Sequence, residues 1–178
     1  VWAIQKQLKS GEFEPEGVEV VFQGGRIDRV DTMETDDGKL YVRVIDYKTG
    51  NTSFDLVSLY HGLQLQLMIY MDGALTVEQN KHKDKEVIPA GVFYYNIKDP
   101  MIQEKIDADI ETVQEKVLKE LKMNGLVLKD KELVQKMDSS LVSIPVSFNK
   151  DGSFRKNSSV ASKEQFDILN RYVKTKIS

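Results

Sequence analysis

Residues 87–97 read Val-Ile-Pro-Ala-Gly-Val-Phe-Tyr-Tyr-Asn-Ile, a nearly continuous apolar run. Its β-branched and aromatic content suits a strand. Its lack of alternation means that both faces of that strand are covered, which requires helices packed on a sheet. Around it the chain supplies them. Strand-like segments at 18–23 and 26–33 are separated by Gly24-Gly25, and the Asp36-Asp37-Gly38-Lys39 turn signal leads into a third at 40–47. These three read as an antiparallel meander. Residues 55–71 carry an apolar stripe of Leu56, Leu59, Tyr60, Leu63, Leu67 and Tyr70 at three- and four-residue steps, a helix pattern. Polar residues 76–86 read as a solvated loop. Beyond the apolar strand we expect a helix over 102–123, a short helix within 125–137 starting near Lys129-Asp130, a strand at 141–148, a turn at 150–152 and a closing helix at 162–177. Residues 1–8 read as the end of a helix stopped near Ser10-Gly11. The order predicts an α/β fold, a mixed β-sheet flanked by helices.

The 178 residues suit one domain spanning 1–178, with a motif core at 18–97 and a helical and strand extension at 98–178. The chain opens on Val1-Trp2 without a methionine and reads as a piece of something larger. It has no cysteine, which excludes disulfides, thiol catalysis and cysteine-ligated metals within it. No apolar run approaches the roughly 18 residues of a membrane helix, so a cytoplasmic protein with no membrane partner is expected. A net charge of −3 argues against a general polyanion binder but permits a local basic channel.

Chemistry concentrates on two of the strands. Gly25-Arg26-Ile27-Asp28-Arg29-Val30-Asp31 and Val44-Ile45-Asp46-Tyr47-Lys48-Thr49-Gly50 each deliver an acid, with a lysine two positions after the second. Residues two apart in a strand share a face, so Asp46 and Lys48 project together, and Asp28 lies with Arg26 and Val30. Pairing of the strands brings Asp28 and Asp46 toward one end of the sheet. Two carboxylates held together repel unless a cation sits between them. Magnesium suits such a site, since it takes one or two carboxylates and leaves positions for water and phosphate oxygens. Lys48 would stand beside that water or phosphate as a point charge. A lone D-x-K run is more often a surface ion pair at a strand end; the preceding G-x-I-D strand shifts the balance. Gln66 and Tyr70, four apart with Gly62 on the same stripe, add a wall, because a glutamine inside an apolar helix needs a partner or a wet cleft.

Gly-Arg-Ile-Asp-Arg-Val-Asp, Ile-Asp-Tyr-Lys-Thr-Gly and Gln66-x-x-x-Tyr70 together resemble the RecB-like branch of the PD-(D/E)XK nucleases. Leu59-Tyr60-x-Gly62-x-x-x-Gln66, the stretch 90–100 and the opening Gly11-x-Phe13-x-Pro15 are similar to the nuclease domain of AddB-type helicase-nuclease subunits. The resemblance implies a restriction-endonuclease-like fold and exonuclease-type, Mg2+-dependent (or Mn2+-dependent) cleavage of DNA during double-strand break end processing and recombinational repair. It places Asp28 and Asp46 as metal-binding acids, the Tyr47 carbonyl as a further metal ligand and Lys48 as the catalytic lysine, with Gln66 and Tyr70 completing the site. Glu19 falls at a recurrent acidic position. It also implies an AddA-like partner subunit, and an iron-sulfur cluster whose cysteines lie outside this chain. An additional upstream His or acid is common in such nucleases; His61 and His82 are in the wrong places to replace it.

Two other classes compete. A non-catalytic DNA-binding or scaffold domain of the same fold is the main alternative, against which the intact Asp28, Asp46 and Lys48 count. A serine acyl-enzyme would require S-x-x-K before K-T-G, whereas here Lys48-Thr49-Gly50 precedes Ser153-Phe154-Arg155-Lys156. No G-x-x-x-x-G-K-[ST] loop occurs, so no ATPase activity is expected of this piece. DNA contacts should fall on phosphates rather than bases, with Arg26, Lys98 and Lys156 as candidates.

Overall fold

The central strand is covered on both sides, as its composition requires. In the computed structural model, which describes residues 2–98 and 109–178, it is β4 (Glu86–Asn96), and residues 88–95 of it are buried. It lies fourth in a six-stranded sheet whose spatial order follows the chain: β1 (Glu14–Phe22), β2 (Gly25–Glu34), β3 (Lys39–Lys48), β4, β5 (Asn124–Leu128) and β6 (Val160–Ala161).

The first three strands form the expected antiparallel meander. The β2–β3 turn closes with Thr35 N–H donating to Lys39 O at 2.9 Å, and Gly38 at φ 81° takes the left-handed position a side chain would resist. β3 and β4 are parallel, pairing Asp46 with Tyr94 and Lys48 with Asn96. A parallel pair needs a crossover, here made by α2 (Leu56–Tyr60) and α3 (Gln66–Lys81). α3 presses Leu67, Met68, Met71 and Ala74, all buried, against β3 and β4. The closing helix α6 (Lys163–Ile177) packs on α3 and starts with a Ser162–Gln165 capping box. The sheet therefore carries helices and is mixed in direction, as the α/β reading requires.

Four expectations fail locally. The helix over 55–71 is two helices: Asp55 caps α2, and the chain breaks at Gly62, φ 79°, before α3 begins at Gln66. Tyr60 and Leu63, assigned to a core stripe, are 65% and 76% exposed. Residues 76–86 are not a solvated loop, because α3 continues to Lys81; Glu78 there is buried against Lys81 and His82. Residues 141–148 form no strand. Ile144 and Val146 are buried as a strand's inner face would be, but the backbone bonds scatter instead of forming a ladder: Ser143 N–H donates to Asp138 and Ser147 N–H to Ser158, while Met123, Arg155 and Ser159 N–H groups donate to the carbonyls of Ser143, Ser147 and Pro145. The strand of this region is β5, whose Gly-Leu-Val-Leu run falls where the sequence suggests only the approach to a helix. The helices α4 (Ile110–Glu120) and α5 (Lys131–Met137) fall within expected helical stretches, and α1 (Trp2–Leu8) matches the opening segment. The first part of the helix expected over 102–123 lies outside the described residues.

Candidate active site

β2 and β3 run antiparallel with Arg29 opposite Ile45 and Val30 opposite Val44. One more step in that register sets Asp28 against Asp46. The strands are already parting there, and Asp28 replaces the lost ladder bond: its Oδ2 accepts from Tyr47 N–H at 2.9 Å. Asp46 is only 4% exposed, and its Oδ2 is buried 2.6 Å from Lys48 Nζ. That contact is an ion pair at close range without hydrogen-bond alignment, so the oxygen has no hydrogen-bond partner.

Lys48 is the hinge of the cluster. Its ammonium also donates to Gln66 Oε1 at 2.9 Å, and Gln66 Nε2 donates to Tyr70 Oη at 2.7 Å. A chain of contacts thus runs from Asp46 through Lys48 and Gln66 to Tyr70, joining β3 to the first turn of α3. The four-residue spacing of Gln66 and Tyr70 is one helical turn, which is why they meet. Tyr70 is set edge-on against Phe22 at 6.0 Å, tying it to β1. Below the lysine lies Tyr94, its ring centroid 5.6 Å from Nζ. Burial pushes the Tyr94 hydroxyl up, and the charge of Asp46 adds to it.

Electrostatics mark Asp46 as the stressed group. Burial, the largest cause, holds its carboxyl above the ordinary range, and the neighbouring charge of Asp28 acts in the same direction. Lys48 pulls it back, but one ammonium does not balance two carboxylates. A divalent cation fits this donor set: two carboxylates side by side, one buried oxygen lacking a hydrogen bond, and a neighbouring strand carbonyl at Tyr47. Among the described residues no group of three or more His, Asp or Glu side chains is placed to hold a metal, so two acids are what the side chains offer.

The model of the PD-(D/E)XK nuclease superfamily matches residues 1–178, the whole chain. The chain belongs to the PD-(D/E)XK nuclease superfamily. Its similarity to curated relatives is also close. It is 46% identical over 176 residues to the ATP-dependent helicase/deoxyribonuclease B subunit of Clostridium novyi, covering 96% of this chain and 15% of that protein. The corresponding protein of Lachnoclostridium phytofermentans is 44% identical over 189 residues, covering 94% of this chain and 16% of the relative. That of a Thermoanaerobacter species is 39% identical over 201 residues, covering 99% and 17%. The chain spans about a sixth of the length of these relatives.

In this nuclease-superfamily chain the structure brings together Asp28, Asp46, Tyr47, Lys48, Gln66 and Tyr70. Gly62 does not join them; it makes the break before α3. Glu19 sits on exposed edge strand β1 with φ 53° and faces Arg26 at 3.5 Å, a solvent-exposed pair. His82 lies at the opposite end of α3 from Gln66, 3.7 Å from Glu78. Ser153 Oγ donates to Asp151 at 2.6 Å within its own turn, so it has no base of the kind an acyl-enzyme needs. Lys98 and Lys156 are exposed.

Two supporting residues escape sequence reasoning. Asn96, at the end of β4, accepts from Thr52 N–H at 3.0 Å and donates to Thr52 O at 2.9 Å. Asn124, at the start of β5, donates to the same carbonyl at 2.9 Å and accepts from Phe54 N–H. Together they fasten the loop that leaves Lys48. The only signal is a polar residue ending an apolar strand.

Proposed function

We propose that this chain is the metal-dependent deoxyribonuclease domain of an AddB-type helicase-nuclease subunit, hydrolysing DNA phosphodiester bonds during processing of double-strand ends. The observation that carries the proposal is the convergence of Asp28, Asp46 and Lys48 at one strand end, with Lys48 joined to Gln66 and Tyr70. Support comes from the superfamily match over the whole chain and from relatives whose names include a deoxyribonuclease and a helicase. On this reading residues 1–178 make one nuclease domain, with the site in the 18–97 core.

Asp28, Asp46 and the carbonyl of Tyr47 would hold Mg2+, or Mn2+ in its place. Bound there, the ion supplies an acidified water and neutralises charge on the phosphate. Lys48 holds the nucleophilic water or a phosphate oxygen beside Asp46, as a compact charge whose attraction strengthens as negative charge develops on the phosphate. Gln66 keeps the ammonium aimed, since its Oε1 accepts from Lys48 while its Nε2 is anchored on Tyr70. Hydrolysis adds water across one P–O bond, the attacking oxygen losing a proton and the departing oxygen gaining one. Recognition should fall on the backbone with little sequence preference, and the resemblance to helicase-nuclease subunits implies exonuclease-type cleavage. The partners are DNA and a second, AddA-like helicase-nuclease subunit. No helix among the described residues is long and apolar enough to cross a membrane. The proposed place of action on DNA is the cytoplasm.

The test is hydrolysis of end-labelled linear DNA by the full-length protein with its partner. We expect cleavage with Mg2+, none with chelator, and none from Lys48→Ala when folding and assembly are intact. DNA left whole by the wild-type complex in both Mg2+ and Mn2+ would refute the proposal and leave a non-catalytic domain of this fold.

A further inference from the structure

We propose that Tyr60 and Tyr172 form a stacking platform for an unpaired base of the DNA strand entering the Asp46–Lys48 site. This rests on the nuclease reading above and adds a binding subsite to it. Tyr60 ends α2 and is 65% exposed, an unusual position for a residue with so large an apolar surface. One face of that ring lies parallel to Tyr172 of α6, with centroids 5.7 Å apart and planes 6° from parallel. Among the described residues the other aromatic pairs are tilted or edge-on. The Tyr172 hydroxyl donates to the Tyr60 carbonyl, so one ring is fixed to the backbone of the other before any ligand arrives. Preset rings lose little conformational freedom on binding.

Position ties the pair to the site. α2 lies in the crossover between Lys48 and Gln66, and Tyr60 precedes Gln66 by six residues. Even fully extended that span reaches only about 20 Å, and turn hydrogen bonds shorten it: His61 N–H to Val57 O, Gly62 N–H to Leu59 O and Leu63 N–H to Ser58 O, at 2.9–3.0 Å. Gln64 pins the segment by accepting from Asp55 N–H at 2.8 Å and donating to Ser53 O at 2.7 Å.

Charge identifies the occupant. Lys176 Nζ stands 5.4 Å from the Tyr172 ring centroid, and Arg171 on the same helix is exposed. Lys174, by contrast, is paired with Asp72 at 2.9 Å. An exposed tyrosine beside cations, with the His61 ring edge-on to it at 5.4 Å, suits a stacked base and its phosphates irrespective of sequence. In a duplex the base faces are covered by their neighbours, so the platform selects single strand. Leu56, Val57 and Leu63 are also exposed on this segment, at 48%, 64% and 76%, and a protein partner covering them is the competing occupant.

The experiment measures binding by the full-length protein carrying Lys48→Ala, which prevents cleavage. The probes are a single-stranded oligodeoxythymidylate and the same backbone made abasic. We expect the base-bearing strand to bind about 5- to 150-fold more tightly, as one stacked base implies. Tyr60→Ala should bring that ratio to within about twofold, while Tyr60→Phe preserves it; melting curves show that each variant is folded. Equal affinity for both strands in the parent, or an unchanged ratio in Tyr60→Ala, overturns the platform. Either result accompanied by Mg2+-dependent cleavage in the Lys48 protein leaves the nuclease reading standing. Neither cleavage nor DNA binding by the Lys48 protein overturns both. An unchanged ratio in Tyr60→Ala with weakened association to the helicase-nuclease partner assigns α2 to a protein surface instead.

Discussion

The β2–β3 ladder holds two groups of charges, three pairing steps apart and therefore on opposite faces of the sheet. At one, Asp31 lies opposite Arg43. Asp31 Oδ2 accepts from Arg43 Nη2 at 2.5 Å and Nε at 3.1 Å, and Oδ1 accepts from Arg29 Nε at 2.6 Å. Both Asp31 and Arg43 are buried, and the Arg43 guanidinium lies 4.8 Å from the Phe13 ring centroid. Here one carboxylate meets two guanidinium groups and both its oxygens are bonded. At the other, two carboxylates stand together with a lysine paired to Asp46 alone, and a buried oxygen of Asp46 has no hydrogen bond. Acids and bases on the same strands thus make a structural tie on one face and an unbalanced cluster on the other. Charge stoichiometry and the parity of the strand separate them.

The contrast breaks most visibly at Arg43. Removing one partner of a buried pair costs about 3–5 kcal/mol, so Arg43→Ala should lower Tm by about 6–20 °C while cleavage by the remaining folded protein persists. Loss of activity without loss of stability would erase the distinction between the two faces. Lys48→Ala should do the reverse, cutting the cleavage rate about 10²- to 10³-fold, below what the end-labelled assay detects, with little change in melting temperature.

Cation binding is the next largest effect. At a concentration about 100 times its Kd, Mg2+ should stabilise the folded protein by about 2.7 kcal/mol, raising Tm by about 5–10 °C. Asp28→Asn should abolish that gain, and the Asp31–Arg43 tie should contribute nothing to it. The pH dependence follows from the raised carboxyl of Asp46. A folded-state pKa above the unfolded value means that its contribution to stability is present at acid pH and lost as pH rises through the folded pKa. In chelator, Asp46→Asn should therefore gain stability over wild type as pH rises from the ordinary carboxylate range to neutrality, measured by thermal melting at each pH. A widening deficit would contradict the sign. Smallest is Tyr70→Phe, which removes the acceptor of Gln66 Nε2; losing one hydrogen bond of about 0.5–1.5 kcal/mol should slow cleavage roughly 2- to 10-fold.

The site strands are legible in the sequence because alternation, a glycine pair and a D-D-G-K turn specify a hairpin locally, and the hairpin register then brings Asp28 to Asp46. Gln66 and Tyr70 are legible as one helical turn. What the sequence conceals depends on distant partners. Gly62 fits a helical stripe by spacing, yet its φ of 79° ends that stripe, leaving Tyr60 and Leu63 in solvent. Glu78 looks like a loop residue until Lys81 and His82 close over it on an extended helix. Residues 141–148 read like a strand, but their backbone bonds go to scattered partners, the Asp138 and Ser158 side chains and the N–H groups of Met123, Arg155 and Ser159, instead of one neighbouring strand. Asn96 and Asn124 meet at Thr52 only once β4 and β5 are side by side.

The assignment of the Asp28–Asp46 strand end as a metal centre is tested most directly by titration of Mn2+ followed by the loss of its free-ion EPR signal. Saturable binding is expected for the wild-type and Lys48→Ala proteins, and its disappearance in Asp28→Asn and in Asp46→Asn. Undiminished Mn2+ binding in both carboxylate variants, each shown to be folded, would contradict the assignment of this strand end as the metal-binding centre.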